Sequence, residues 1–518
     1  MRKTRKVGFN RHVSYNYIPI RYVLAFMITL IEILLIIGIV VLLCYYVPYF
    51  YLLTMATQIG CVIKIVSSDD NPDYKVPWLL FVLILPIAGF MLYFIFYSRK
   101  LQKKYLKKLD NLKQIKYQMN DGEQFRQLKD VDAVACSQAK VICDISDTKL
   151  FKNTKIKYFP DGESMWENML CDLKHAKEFI FLEYFIIEQG EFWNSILEIL
   201  KEKANNGVDV RVVFDDIGCM STLPGNYAKI LKKMGIKATP FSRLKGSADS
   251  EFNNRSHRKI LVIDGKIGYT GGINIADEYV NIKKRFGHWK DVGIRLEGQA
   301  VWELTHLFII DYGINVKDFN VPSCNLYPEM PLIESESYVI PFGDGPSPLY
   351  DRRVGKTVIQ NLLANATEFA YLTSPYLIID NDLCLSIENT ALKGVDVRII
   401  VPHIPDKKMI FGMTKSFYAR LLKAGVKIYE YTPGFIHAKT YLVDDKFAVV
   451  GTMNLDYRSL AHHFENGVWI YNDECLLDIK NDIIKTIEKS ELVTLNNRKP
   501  KIIQRFIRSL VRIFAPLL

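Results

Sequence analysis

This chain of 518 residues lacks the sequence features of two common kinds of chemistry. It contains no Gly-x4-Gly-Lys-Ser/Thr loop, so nothing indicates a nucleotide-binding P-loop. Its nine cysteines include no Cys-x-x-Cys pair, which argues against a dithiol redox centre. An odd number of scattered cysteines is typical of buried thiols in a reducing compartment, and we expect no disulfides.

Negative charge is scarce in three segments of the chain. The net charge is +11, yet residues 1–21, 99–116 and 498–512 together carry +19, so the remainder carries about −8. An acidic body fits poorly with a basic groove that follows nucleic acid. Basic segments beside apolar ones instead favour attraction to anionic membrane lipids.

Long apolar runs are confined to the N-terminal region, which we assign to residues 1–100. Residues 22–47 and 76–97 are each long enough to cross a membrane, and residues 49–66 are a weaker third candidate because they contain Lys64. Lys and Arg flank the outer ends of the two stronger runs. The positive-inside rule then predicts a multi-pass cell-membrane protein in which the main body of the chain, after residue 100, lies in the cytoplasm.

The C-terminal residues 499–518 form an amphipathic segment. Their apolar residues can share one helical face, with several arginines elsewhere on the helix. We expect a basic amphipathic helix lying in the plane of the membrane, in preference to a cap packed on the protein core.

One motif occurs twice. His257, Lys259 and Asp264 recur as His437, Lys439 and Asp444. Each copy is followed by a glycine seven residues after the Asp and by an asparagine ten residues after it, which are Asn274 and Asn454. A doubled motif with five positions in register is far more specific than a single short match.

The duplication extends beyond the motif. Gly-Val-Asp-Val-Arg occurs at 207–211 and again at 394–398, each time before a buried strand, and a helix and a strand follow in both copies. A repeat of about 180 residues indicates a duplicated domain rather than a solenoid. We therefore predict an α/β fold with two pseudosymmetric α/β/α sandwich halves, at 151–325 and 335–495, joined to the membrane region by a basic linker at 101–150.

Strand geometry separates the residues of the motif. Alternate side chains of a strand share a face, so His257 and Lys259 point the same way, as do His437 and Lys439. Asp264 has the opposite parity and begins an Asp-Gly turn, so it is better placed to brace the turn than to touch a substrate. Each His would then need another carboxylate to orient it, and Asp291 and Glu465 are the candidates.

The residue types favour an anionic substrate over a metal. A protonated lysine two residues from each His cannot ligate a cation and would repel it. Two lysines, two histidines and two asparagines suit the developing negative charge of phosphoryl transfer. We predict no metal and no other cofactor.

These paired signatures resemble those of the phospholipase D superfamily, and in particular of bacterial cardiolipin synthases. The resemblance covers nearly the whole chain, including residues 71–78, 287–291, 373–380 and 454–459, and no motif position departs from it. It implies a two-step phosphatidyl transfer through a covalent phosphatidyl-histidine. Donor and acceptor would both be phosphatidylglycerol, giving cardiolipin and glycerol.

The resemblance also implies roles for the site residues. His257 would be the nucleophile and His437 the acid and then the base, although the pseudosymmetry leaves the reverse assignment open. Lys259, Lys439, Asn274 and Asn454 would hold the phosphate oxygens. Another phospholipid hydrolase or headgroup-exchange enzyme would share all these residues, whereas a nuclease fits poorly with the apolar runs and the acidic body.

Overall fold

The computed structural model describes residues 20–96, 119–243, 254–317, 335–494 except 347–348, and 511–517, with scattered residues in 108–115 and 319–333. The predicted basic segment 1–19 and most of 97–118 lie outside the described residues, as do 495–510.

Within residues 20–96, the described part of the N-terminal region forms four helices. They are α1 (Ile20–Tyr46), α2 (Pro48–Val66), α3 (Pro72–Ile84) and α4 (Pro86–Phe96). Helix α1 coincides with the first predicted span. Among the described residues, Tyr49–Val66 is apolar and long enough to cross a membrane, and Met27–Leu43 is a shorter apolar segment within α1. The weakest of the three predicted candidates therefore has the length and composition of a membrane span.

The predicted continuous span at 76–97 is wrong. The chain leaves the helical conformation at Leu85, and Pro86 then starts α4, because proline has no N–H to continue the helix. Helix α4 folds back so closely on α3 that a Cβ at Gly89 would overlap the backbone carbonyl of Phe81. Trp78, Val82 and Tyr93 share a small buried core with α2.

The predicted linker at 101–150 is also wrong over much of its length. Residues 122–146 form α5 (Gly122–Val131) and α6 (Ala133–Ser146), which Asp132 separates by capping α6 with its carboxylate. Apolar residues at helical spacing, Leu128, Ala135 and Ala139, are fully buried in the main core. These helices therefore belong to the catalytic body.

Strands and helices alternate in the first half as predicted. Its elements are β1 (Thr154–Phe159), α7 (Gly162–Lys174), β2 (Phe179–Tyr184), α8 (Glu191–Asn205), β3 (Asp209–Asp215), α9 (Tyr227–Lys233), β4 (Lys237–Phe241), β5 (Lys259–Ile263), β6 (Ile267–Gly271), β7 (His288–Lys290), β8 (Gly293–Gly298) and α10 (Val301–Asn315). The seven-stranded sheet has the order β1-β8-β6-β5-β2-β3-β4.

The second half repeats this order. Its elements are β9 (Tyr338–Asp344), α11 (Val354–Asn365), β10 (Phe369–Thr373), β11 (Leu377–Ile378), α12 (Asn381–Leu392), β12 (Asp396–Pro402), α13 (Lys408–Lys423), β13 (Lys427–Tyr431), β14 (Gly434–Ile436), β15 (Thr440–Val443), β16 (Phe447–Gly451), β17 (Leu455–Asp456), α14 (Tyr457–Ala461), β18 (Glu465–Tyr471), α15 (Cys475–Glu488) and β19 (Ser490–Leu492). Read from β9, its sheet is β9-β18-β16-β15-β10-β12-β13, with β19 added at the end.

The two halves are joined by hydrogen bonds and by a shared core. Strand β7 of the first half pairs in parallel with β14 of the second. Helix α10 is buried along nearly its whole length, and its residues share one hydrophobic core with both sheets. The predicted pseudosymmetric α/β fold is confirmed.

The end of the chain differs from the predicted in-plane membrane helix. Within residues 511–517, Ala515 is buried and Phe514 packs 5.5 Å from the ring of Phe81 in α3. The Arg512 guanidinium lies 4.4 Å from the ring centre of Phe417 in α13. This part of the tail is a cap on the protein core, since its small and apolar residues fit between α3 and the catalytic body.

The close approach at Gly89 gives a test of the folded-back hairpin. Gly89→Ala should destabilise the protein by about 1–3 kcal/mol, because the added methyl group would push α4 away from α3. Gly60→Ala in α2 is the matched control, since nothing lies within 4 Å of a Cβ there. Thermal unfolding in detergent measures both, and equal melting temperatures would contradict this packing.

Candidate active site

Each motif histidine is fixed by backbone contacts with the opposite half. The His257 N–H donates to the Phe464 carbonyl at 2.8 Å, and the His437 N–H donates to the Lys290 carbonyl at 2.7 Å. Both histidines stand just before their motif strands, β5 and β15. The acceptor in each case is the residue immediately before a buried carboxylate, Glu465 or Asp291.

The two halves exchange carboxylates. Nδ1 of His257 in the first half lies 2.9 Å from Glu465 in the second, and Nδ1 of His437 lies 2.7 Å from Asp291 in the first. Both predicted carboxylates thus lie beside a histidine, but each pairs across the interface, which the sequence pattern did not indicate. With Nδ1 engaged, Nε2 of each ring is the nitrogen available to a substrate.

Glu465 is held by three side chains. It accepts hydrogen bonds from Thr452 and from Ser459, the latter at 2.7 Å, as well as from His257. Burial opposes its ionisation, but the charge and the hydrogen bond of His257 hold the pKa of Glu465 well below its usual range. Asp291 has a lowered pKa for the same reason, with burial opposed by His437 and Lys439.

Both imidazoles are neutral at physiological pH. Burial lowers the pKa of His257 to about 3 and that of His437 to about 4, and the neighbouring lysines act in the same direction. The paired carboxylates oppose this shift without reversing it. A neutral imidazole that donates from Nδ1 has its lone pair on Nε2, as a nucleophile or base requires.

Two buried lysines lie beside the histidines. Lys259 donates to the His257 carbonyl at 2.7 Å, and Lys439 donates to the His437 carbonyl. Burial, together with the repulsion of Lys439, lowers the pKa of Lys259 to about 7, and burial lowers that of Lys439 to about 8. An anion bound here would stabilise both ammonium groups and so offset their burial and their mutual repulsion.

The two halves differ in one contact. Nζ of Lys439 also lies 2.7 Å from Nδ1 of His437, so Lys439 and Asp291 compete for the same ring nitrogen. Among the described contacts, Lys259 reaches the His257 carbonyl and not Nδ1 of that ring, which faces both oxygens of Glu465. The tautomer of His257 is therefore the more firmly fixed of the two.

Asp264 and Asp444, which the sequence placed in the motif set, do not reach the site. Asp264 accepts the backbone N–H groups of residues 177–179 at 2.8–2.9 Å, and Asp444 accepts those of residues 367–369 at 2.7–2.9 Å. Five residues of strand separate each Asp from its lysine, roughly 16 Å. Both have positive φ, so they brace the turns, as strand parity predicted.

The two asparagines face the same cavity as the histidines. Asn274 accepts from the Ile186 N–H at 3.1 Å and donates to the Tyr279 hydroxyl at 2.8 Å. Asn454 is anchored through its backbone N–H, which donates to Ser459 at 2.8 Å. Both asparagines line the cavity with the histidines, and their binding of phosphate oxygens stays a prediction.

A cavity of about 380 Å³ holds these groups together. Sequence reasoning missed most of its wall, including polar residues and an aromatic layer around the histidines. The wall residues that the motifs did not predict include Phe185, Glu278, Tyr279, Arg285, Phe286, Trp289, Tyr376, Asp406, Phe435, Tyr457, Arg458, His463 and Ala515. Two signals were available: His463 stands two residues before Glu465, and the segments 287–291, 373–380 and 454–459 of the resemblance contain four of these wall residues, Trp289, Tyr376, Tyr457 and Arg458.

One group in the described part of the chain has a metal-like spacing. Ligand atoms of His257, His463 and Glu465 lie within 4.8 Å of one another. Both oxygens of Glu465 already accept hydrogen bonds, and the nearby lysine ammonium groups would repel a cation. These three side chains are therefore better suited to orienting and polarising His257 than to binding a metal ion.

The fold and the site define a class of protein. Two α/β sandwiches, each supplying a motif histidine to one shared cavity with a buried lysine beside it, are the architecture of phospholipase-D-like proteins. A phosphatidylserine synthase from Haemophilus influenzae has a similar fold, with a TM-score of 0.55 at 15% identity over 73% of this chain and 98% of that one.

Sequence comparison identifies the family. The model described as "Cardiolipin synthase, PLD-like domain" matches residues 169–284 and 359–487, and "Phospholipase_D-nuclease N-terminal" matches 57–96. The chain is 30% identical to a cardiolipin synthase of Halalkalibacterium halodurans, over 90% of this chain and 94% of that protein. It is 32% identical to one of Staphylococcus aureus (85% and 90%) and 43% identical to an uncharacterized protein of Streptococcus mutans (89% and 100%). The chain belongs to the cardiolipin synthase family of phospholipase-D-like proteins.

The carboxylate exchange predicts the effect of neutralising Glu465. Glu465→Gln should lower turnover of a phospholipid substrate about 100-fold. The uncharged amide can neither fix the tautomer of His257 nor stabilise positive charge on its ring. Glu430→Gln is the matched control, since Glu430 is a buried carboxylate outside the cavity that lies 3.2 Å from Nδ1 of the partly exposed His403. Equal losses of turnover in the two variants would contradict a specific role for Glu465.

Burial of Lys259 predicts a pH-dependent stability. The unfolded chain keeps this proton up to a pKa near 10.5 but the folded protein only up to about 7, so the wild type gains stability as pH rises between these values. Lys259→Met should therefore be stabilising below pH 7, with an advantage that shrinks toward pH 10. Melting temperatures across pH 6–10 measure this, with the exposed Lys266→Met as control. An advantage that grows with pH would refute it.

Proposed function

We propose that this protein transfers a phosphatidyl group between two phosphatidylglycerol molecules, giving cardiolipin and glycerol. The observation that carries the proposal is the pair of histidines on one cavity, each oriented by a carboxylate of the opposite half and adjoined by a buried lysine. The substrate class comes from the relatives named cardiolipin synthase.

In the first step, Nε2 of His257 attacks the phosphorus of the donor lipid. A P–N bond forms, the P–O bond to the headgroup glycerol breaks, and His437 gives a proton to the departing oxygen. Lys259, Lys439, Asn274 and Asn454 surround the phosphate oxygens while charge builds up in the transition state. The firmly fixed tautomer of His257 supports its assignment as the nucleophile.

The first step needs a protonated His437, although its pKa in the protein alone is about 4. A bound phosphodiester anion lowers the cost of positive charge in the buried site, so the pKa values of His437 and of both lysines rise on binding. Asp291, 2.7 Å from Nδ1, stabilises the imidazolium that forms. The acid is thus made available by the substrate itself.

In the second step, a terminal hydroxyl of a second phosphatidylglycerol attacks the phosphatidyl-histidine. Neutral His437 takes the hydroxyl proton, a new P–O bond forms, and the P–N bond to His257 breaks. The number of phosphodiester bonds is unchanged, so the reaction needs no nucleotide. Aromatic side chains around the two rings, such as Phe185 and Tyr279, favour a lipid alcohol over water as acceptor.

The proposed setting is the cell membrane, with several membrane segments and a cytoplasmic catalytic body. One segment, Tyr49–Val66, is apolar and long enough to span the bilayer. The basic stretches at 1–21 and 99–116 support a cytoplasmic location for both ends of the membrane region. The anionic phospholipid of the bilayer would then surround the membrane segments and also supply the substrate.

The test is incubation of the full-length protein with phosphatidylglycerol alone, followed by mass spectrometry of the lipids. Cardiolipin and glycerol are the expected products, and His257→Ala should abolish both because it removes the attacking nitrogen. His175→Ala, at an exposed histidine outside the cavity, is the control. Phosphatidic acid as the main product would overturn the proposal in favour of a hydrolase.

A rapid acid-free quench tests the covalent step. Radiolabelled donor lipid should label the wild-type protein, and the label should be lost in acid because phosphoramidate bonds are acid-labile. Mapping the labelled peptide decides between His257 and His437. Turnover without any labelled protein, or full turnover in His257→Ala, would refute the intermediate.

A further inference from the structure

The turn between α2 and α3 is fastened to the catalytic body by side-chain hydrogen bonds. Asn71 donates to Asp380 at 3.0 Å and to Asp382 at 2.9 Å. Asp73 accepts the backbone N–H of Asn381 at 2.7 Å and the hydroxyl of Tyr457 at 3.1 Å. These partners are more than 300 residues away in sequence.

Tyr74 extends this contact into the core. Its side chain is 2% exposed, and its ring meets the ring of Tyr457 edge to face at 5.4 Å. The guanidinium of Arg353 lies 4.6 Å from the centre of the Tyr74 ring on another side. An aromatic residue from the membrane region is therefore buried in the second half, and the turn is not a loose tether.

Tyr457 belongs to the wall of the active-site cavity. It is the first residue of α14, and the next residue, Arg458, faces the same cavity. One more residue along, Ser459 holds both Glu465 and the backbone of Asn454. Asp73 thus contacts the one short helix that connects the cavity wall with the support of His257.

We propose that Asp73 is a positioning residue: through Tyr457 it sets the orientation of α14, so that docking of the membrane region shapes the phospholipid-binding wall of the cavity. The inference rests on the proposed function, because the ligand of that wall is the anionic phospholipid. Arg458 supplies the positive charge that such a headgroup needs. Glu465 is held additionally by Thr452, so the reacting centre depends less on this contact than the wall does.

The test measures KM and kcat separately for the full-length protein in mixed micelles, with phosphatidylglycerol as a varied mole fraction. Tyr457→Phe removes only the hydroxyl that reaches Asp73, and Asp73→Asn removes the charge that accepts it. Each should raise KM about tenfold with kcat nearly unchanged, as expected for a lost hydrogen bond to a charged group. Because both changes act on the same hydrogen bond, which one weakens and the other removes, the double variant should be no worse than the worse single variant.

Two controls separate this role from general instability. Asp69→Asn changes an exposed carboxylate in the same loop and should leave KM unchanged. Ser459→Ala acts on the support of Glu465 and should lower kcat instead. A loss confined to kcat in Asp73→Asn and Tyr457→Phe, or an additive effect on KM in the double variant, would overturn the inference.

The proposed function and this inference fail in different ways. If the wild-type protein makes no cardiolipin from phosphatidylglycerol, the proposed function is wrong. If the wild type does so and the KM of Tyr457→Phe equals that of the wild type, only the positioning role of Asp73 is wrong.

Discussion

The exchange of carboxylates across the pseudo-twofold interface is the constraint on which the rest of the catalytic body depends. Neither half contains both a motif histidine and its acidic partner, so one half alone would leave a buried charge without its partner. Leaving a buried hydrogen-bonding group without its partner costs about 1–3 kcal/mol, and more when the group is charged. The β7–β14 pairing, the buried α10 and the backbone bonds of His257 and His437 all maintain the register that this exchange requires.

The same interface explains why the site can tolerate so much buried charge. Two lysines and two carboxylates lie beside the two histidines of the cavity. The lysines have lowered pKa values, as do the carboxylates, and charges of the other sign stabilise each group. The charges are not fully balanced in the protein alone, because the lowered pKa values show that the protonated form of each lysine is still destabilised. A phosphodiester supplies the missing negative charge, so binding energy is directed to the place where the transition state needs it.

Much of the fold could be predicted because it is encoded locally. The doubled motif, the glycine-led strands and the turn-bracing Asp264 and Asp444 depend on spacing and parity within a few residues. The pairing of His257 with Glu465 depends on how two sheets meet, which no local pattern encodes. The break at Pro86 and the burial of Leu128 in the supposed linker were missed for different reasons. The apolar run 76–97 resembles a single span because it is interrupted by only one proline. Helix α5 was missed because a short amphipathic helix next to a basic segment has the composition of a linker.

The membrane region and the tail both meet the catalytic body on the side of α14. Tyr74 packs against Tyr457, Phe514 packs against Phe81, and Ala515 lines the cavity itself. In the proposed membrane setting the substrate lies in the bilayer, so the wall must stay within its reach. Ala515 of the tail lines the wall directly, whereas Asp73 and Tyr74 of α3 act on it through Tyr457. Under the positioning role that we propose, the cavity therefore has its complete shape only where α3 is docked.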